Sequence, residues 1–184
     1  MDERTRREHA WQRAALAGDA DAWLALYDDA FAALDAYVRW RCGGLRDLAD
    51  DVSQDVWLTA VRRLAAFDPA RAPFLVWLRG IAAGLLRNRF RLRARRERPR
   101  PSGPSASAAS PADAEAERRE RALRVARTLA ELPERYEAVL RARYLEGRAV
   151  ADIAAEQGET AKAVESALGR ARQAFREAYG ADTP

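Results

Sequence analysis

The chain has 184 residues, is 48% hydrophobic and 33% charged, and carries a net charge of +4 with a pI of about 9.7. A single histidine, His9, and a single cysteine, Cys42, exclude an internal disulfide, cysteine clusters, paired-histidine metal sites and histidine-based nucleophilic triads. No apolar run approaches the roughly 18 residues of a membrane span, and "MDERTRREHAWQ" lacks the apolar core of a signal peptide, so a cytoplasmic chain is expected.

Lys162 is the only lysine, so nearly all positive charge is arginine. The planar guanidinium suits phosphate and base edges. A genome rich in arginine and alanine codons accounts for the same composition, which alone decides nothing. Strand signals are nearly absent and the apolar periodicity is helical, which predicts an all-α fold. The N-terminus reads as frayed, with His9 on the surface.

The first helix is predicted from about Asp19, its N-cap, to Arg41, with Trp23, Leu26, Tyr27, Phe31, Leu34 and Val38 as its apolar stripe. Gly43 and Gly44 end it. The second runs from near Asp47 to about Phe67. Val52, Val56, Trp57, Ala60 and Leu64 make its inner face, and Asp51, Gln54, Asp55, Leu58 and Arg62 its outer one. After "FDPARAP" a third helix spans Pro73 to about Arg96, with Phe74, Trp77, Leu78, Ile81, Leu85 and Leu92 as its stripe. Its later half is strongly basic. So many arginines on one short segment repel each other unless a polyanion lies nearby. Three such helices can share one core.

"RPRPSGPSASAASPADAEAE" has no apolar stripe and reads as a linker over 97–118. It divides the chain into two small helical domains, 1–96 and 119–184. The second resumes with Leu123, Ala126, Leu129 and Leu132, followed by a helix entered at Pro133 and stopped at Gly147. Two helices then follow, about Val150–Gln157 and Ala161–Tyr179, joined at Gly158. Helix, glycine turn, helix is the form of a helix-turn-helix. Thr160 is placed to cap the second helix, whose first turns would carry side chains to base edges in the major groove. A plain α-hairpin has the same pattern.

In order along the chain, "GDADAWLALYDDAF", "DLADDVSQDVWLTAVRRLAAFDP", "APFLVWLRGIAAGLLRNRFRLRARR", "LAELPERYEAVLRARYLEG" and "DIAAEQGETAKAVESALGRARQAF" resemble regions 2 and 4 of extracytoplasmic-function (ECF) sigma factors, in the sigma-70 family. The resemblance implies a non-enzymatic subunit that binds core RNA polymerase and directs promoter-specific initiation. It implies no catalytic residue, cofactor, metal or small-molecule substrate, and no contact with membranes.

Asp51, Gln54, Asp55, Leu58 and Arg62 would meet the basic β′ clamp helices of the polymerase, with further contacts to the β subunit. Asp47 and Asp50 read instead as favouring the N-terminal dipole of their own helix. The −10 element would be held by Phe67, Asp68, Arg71, Arg79, Arg87, Asn88, Arg89 and Arg91, the Phe67–Phe74 loop receiving an extruded base. Trp77 reads as core. The −35 element would meet Thr160, Lys162, Ala163, Glu165, Ser166, Gly169, Arg170 and Arg172.

A separate anti-sigma factor is also implied. Glu165 and Ala167 stand where the family usually carries basic residues, and Ala149 where it carries a Ser or Thr cap. The alternative is a stand-alone helix-turn-helix regulator, which has no evident use for the acidic face around Asp55.

Overall fold

Helices are the regular elements of the described residues, 2–96 and 111–181 of the computed structural model. They form two compact units: Met1–Arg39 with Arg46–Arg96, and Trp40–Leu45 with Glu97–Pro184.

The N-terminus is a helix, α1 (Glu3–Leu16), where fraying was expected. Asp2 caps it, its Oδ1 accepting from Thr5 N at 2.7 Å. Few apolar residues mark this helix. Its buried side chains are Glu8 and Gln12, so an apolar stripe was the wrong signal to seek. His9 is exposed, as the sequence predicts.

In α2 (Ala20–Arg41), Asp19 Oδ1 accepts from Asp21 N and Ala22 N, which is the expected cap. The buried line is Leu26, Ala30, Leu34 and Val38. Phe31, expected in that line, is 43% exposed and stacks on Tyr27 at 5.1 Å. Ala30 takes the inward position because residues four apart share a helix face, and the small side chain lets neighbours approach.

α3 (Arg46–Arg63) buries Ala49, Val52, Val56 and Ala60, and a short 3₁₀ turn follows at Leu64–Ala66. α3 packs against α4 (Phe74–Arg96), whose core line is Phe74, Leu78, Ala82, Leu86 and Phe90, again four apart. Leu92, expected in the stripe, is 42% exposed. It lies two residues past Phe90, about 200° round the helix. Trp57 is half-buried, its ring 4.5 Å from Tyr27 and 6.3 Å from Trp23, so it belongs to the core margin.

In the second unit, α5 (Pro111–Glu131) begins eight residues before the predicted end of the linker. Proline suits the first helical position, acidic residues follow it, and "ADAEAERRERA" is built of strong helix formers. Propensity carries this part of the helix without an apolar stripe. The rest of the predicted linker, 97–110, lies outside the described residues.

α6 (Glu134–Leu140) starts after Pro133 and runs on into a wider π-helical turn at Arg141–Leu145, where Glu146 N donates to Arg141 O five residues back. α7 (Val150–Gln157) and α8 (Ala161–Ala181) complete the unit. Its core gathers Leu129, Leu132, Val139, Leu140, Ile153, Val164 and Leu168. Full burial of each such aliphatic side chain contributes about 1.5–3 kcal/mol.

Candidate functional site

The outer face of α3 is one surface. Asp51, Gln54, Leu58 and Arg62 are exposed and Asp55 is half-exposed, at spacings that place them on one side of the helix. Leu58 keeps 46% of its area open to solvent, an apolar point among charges.

This face is not isolated from the basic helix. Arg89 of α4 reaches across, with Nη2 3.1 Å from Asp55 Oδ2 and Nη1 3.4 Å from Asp51 Oδ2. One guanidinium thus neutralises part of the carboxylate pair. Asp50 pairs with Arg39 at 4.0 Å, which sets it apart from the Asp51–Asp55 edge.

The predicted DNA set divides. Phe67 is 3% exposed, with its ring 5.1 Å from Phe74 and 5.3 Å from Trp77. It is a core residue, and the expectation that it faces a base is corrected. A large aromatic beside two others gains more from burial than from exposure on a loop. Arg79 is half-buried with its guanidinium over the Tyr37 ring at 5.4 Å, and Arg89 is turned to α3. Asp68, Arg71, Arg87, Asn88 and Arg91 remain on the surface.

The Asp68 carboxylate accepts from Ala70 N at 3.0 Å, so it shapes its own loop. Arg91 donates to Asn88 Oδ1 at 2.9 Å, which orients both side chains along α4.

Three features here escaped the sequence reading. Glu8 and Gln12 of α1 meet the ends of the loop before α4. Glu8 Oε2 accepts from Phe74 N at 3.1 Å, and Gln12 Nε2 donates to Leu64 O at 3.0 Å and to Phe67 O. A groove of about 480 Å³ also opens between α3 and α4, lined by Thr59, Arg63, Val76, Trp77, Gly80 and Ile81. Trp77 is therefore packed on one side and open on the other. The available signal was Gly80 with Gly84, one turn apart on α4, where no side chain fills the space.

In the second unit the turn is as its residues predict. Gly158 is left-handed, with φ of 64°, and Glu159 N donates to Ala154 O at 2.9 Å. Thr160 Oγ1 accepts from Ala163 N at 3.2 Å and caps α8. Arg135 of α6 holds Glu159 at 2.9 Å, fixing the turn from outside.

Lys162, Glu165, Ser166, Gly169 and Arg170 are all exposed and form one stripe along the first turns of α8. Thr160 and Arg172 are exposed at its margins, Arg172 donating to Leu168 O at 3.2 Å, and Ala163 is half-buried. Ala167 is 3% exposed and packs in the core, so it is not a surface position awaiting a basic residue. Ala149 precedes α7 with no side-chain cap bond.

Among the described residues these features define an all-helical protein with a four-helix first unit and a helix-turn-helix second unit. Profiles of the sigma-70 family match both: region 2 over residues 26–96 and region 4 over residues 122–175. Over 77 residues the chain is 35% identical to the ECF RNA polymerase sigma factor BldN of Streptomyces coelicolor, a match spanning 42% of this chain and 29% of the length of BldN. Among solved structures, that of CnrH in complex with the cytosolic domain of CnrY matches at 26% identity and a TM-score of 0.48, over 99% of this chain and all of that one. The RsbN–BldN complex matches at 22% identity and a TM-score of 0.38, over 90% and 97%. The chain belongs to the sigma-70 family.

Proposed function

We propose that this protein is a dissociable specificity subunit of bacterial RNA polymerase, acting in the cytoplasm without catalytic chemistry of its own. It binds core enzyme through the first unit and promoter DNA through both. The observation that carries this reading is the presence in one chain of two unlike contact surfaces. One is an α3 face with exposed Gln54, Leu58 and Arg62 beside the Asp51–Asp55 carboxylates, and the other is a capped helix-turn-helix with Lys162 and Arg170 on its outer stripe. A stand-alone repressor needs only the second.

In this assignment the α3 face meets the β′ clamp helices, and further surfaces meet the β subunit. Arg71, Arg87, Asn88 and Arg91 hold the −10 strand through its phosphates, while Arg89 keeps the Asp51 and Asp55 carboxylates oriented. Single-strand capture needs a basic track and a surface to replace lost base stacking. The half-open Trp77 edge in the groove beside α4 supports such a surface. The outer stripe of α8 reads the −35 element, where Glu165 suits a cytosine amino group better than a phosphate. The domain limits 1–96, 97–118 and 119–184 belong to the same proposal, with the last eight residues of the middle segment helical. A separate anti-sigma chain would control access to these surfaces.

Transcription with purified core enzyme tests the reading. The protein should form a complex with core and direct initiation from a discrete set of genomic promoters. Absence of a complex with core removes the proposal.

A further inference from the structure

We propose that α1 is the positioning element of the Phe67–Phe74 loop, with Glu8 and Gln12 clamping its two ends so that the segment is held open for an extruded base. The inference rests on the reading of that loop as the −10 base receiver. α1 lies before residue 26, where the region 2 match begins.

The two clamp residues sit one helical turn apart and point the same way. Glu8 is 1% exposed and Gln12 7%, on a helix that is otherwise largely exposed and polar. Gln12 grips the loop where it leaves the 3₁₀ turn, through the carbonyls of Leu64 and Phe67. Glu8 grips it where it enters α4, through Phe74 N. That N–H belongs to the first turn of α4, where backbone donors lack helical partners and the dipole favours an anion. Arg4 Nε, 2.9 Å away, meets the other Glu8 oxygen, so the buried carboxylate is bonded on both sides.

Between the clamps, Asp68 organises the loop from within. Its side chain takes Ala70 N at 3.0 Å, and its carbonyl takes Arg71 N at 3.0 Å and Ala72 N at 3.3 Å. These local bonds shape the turn but do not tie it to the rest of the unit. The tie comes from α1, and from Phe67, Pro69 and Phe74, which are buried.

An apolar pair at positions 8 and 12 would anchor α1 at less desolvation cost. A polar pair that ends on loop backbone atoms specifies the course of the chain as well as the contact. A base pocket requires such a course, because a flipped base is recognised by groups already in place.

The test uses the full chain assembled with core polymerase and single-stranded oligonucleotides randomised across the −10 region, with the bound pool sequenced. Asp68→Ala and Arg71→Ala identify the position that the loop reads. Glu8→Ala and Gln12→Ala should reduce base preference at that position about tenfold while leaving the other positions unchanged. Glu8→Gln, which keeps an oxygen for Phe74 N, should retain the preference. Leu34→Ala, a core truncation on α2, controls for lost stability and should leave it intact. Amide exchange at Ala70, Arg71 and Ala72 should rise in Glu8→Ala and Gln12→Ala but not in Leu34→Ala.

The clamp is overturned if Glu8→Ala and Gln12→Ala leave both preference and loop exchange unchanged, or if Leu34→Ala flattens the preference equally. It is also overturned if loop exchange rises but the preference, altered by Arg71→Ala, does not respond. If neither loop variant alters any preference, the base-receiving reading falls and the functional part of the proposal with it. Raised loop exchange would then still support the structural clamp.

Discussion

Arg89 on α4 donates to Asp55 on α3 at 3.1 Å, joining the helix expected to hold DNA to the face expected to hold polymerase. The pair is 38% and 47% exposed by side chain, so its worth to folding is that of a surface ion pair, about 0–1 kcal/mol. Arg89→Ala should therefore change thermal stability little. It should also leave the salt dependence of promoter binding unchanged, because a guanidinium committed to carboxylates releases no counterions from DNA. A fall of about one in the slope of log affinity against log salt would return Arg89 to the phosphate contacts.

Asp55→Arg reverses the partner charge and places two guanidinium groups together. Core binding should drop well beyond any change in helicity. The exchange Asp55→Arg with Arg89→Asp restores the ion pair in the opposite sense. It should recover stability and leave core binding weak, since the outward charge at position 55 stays reversed. Recovery of core binding in the double variant, measured by titration with purified core, would make the pair structural only.

Phe67 and Arg71, four residues apart on one loop, should separate cleanly. Phe67→Ala opens a cavity among Phe74 and Trp77 and should cost about 3–5 kcal/mol of stability. Arg71→Ala, at an exposed site, should leave the melting temperature within a degree or two and weaken −10 strand binding. A denaturation curve and an oligonucleotide titration for each variant decide the matter.

What the sequence made legible follows the range of the forces involved. The glycine turn and Thr160 cap depend on neighbours within four residues, and the structure places them as read. The α3 outer face follows from periodicity alone. Phe67 was misread because loop position and proline neighbours say nothing about which ring the core will claim. The Arg89 bridge joins residues 34 and 38 apart in sequence, and only packing of α3 on α4 brings them together. α1 was missed because its anchoring groups are a carboxylate and an amide, which no apolar pattern announces. Its cap residue, Asp2, was the local signal available. Ala167 shows that a position defined by resemblance needs burial before it is given a surface role.

Gly169 offers the sharpest test of the α8 stripe. A glycine inside an exposed helix costs about 0.5–1 kcal/mol against alanine, and a Cβ built there meets nothing within 4 Å. Gly169→Ala should therefore raise the melting temperature. If the stripe lies against DNA, the added methyl stands between backbone and base edges, and −35 affinity should fall in the same variant. Gly180, near the far end of α8 with equally open surroundings, supplies the control: Gly180→Ala should not weaken DNA binding. Opposite movement of stability and affinity at 169, without loss of affinity at 180, would assign the stripe to DNA. Affinity unchanged at 169 would move the −35 contact off this face of α8.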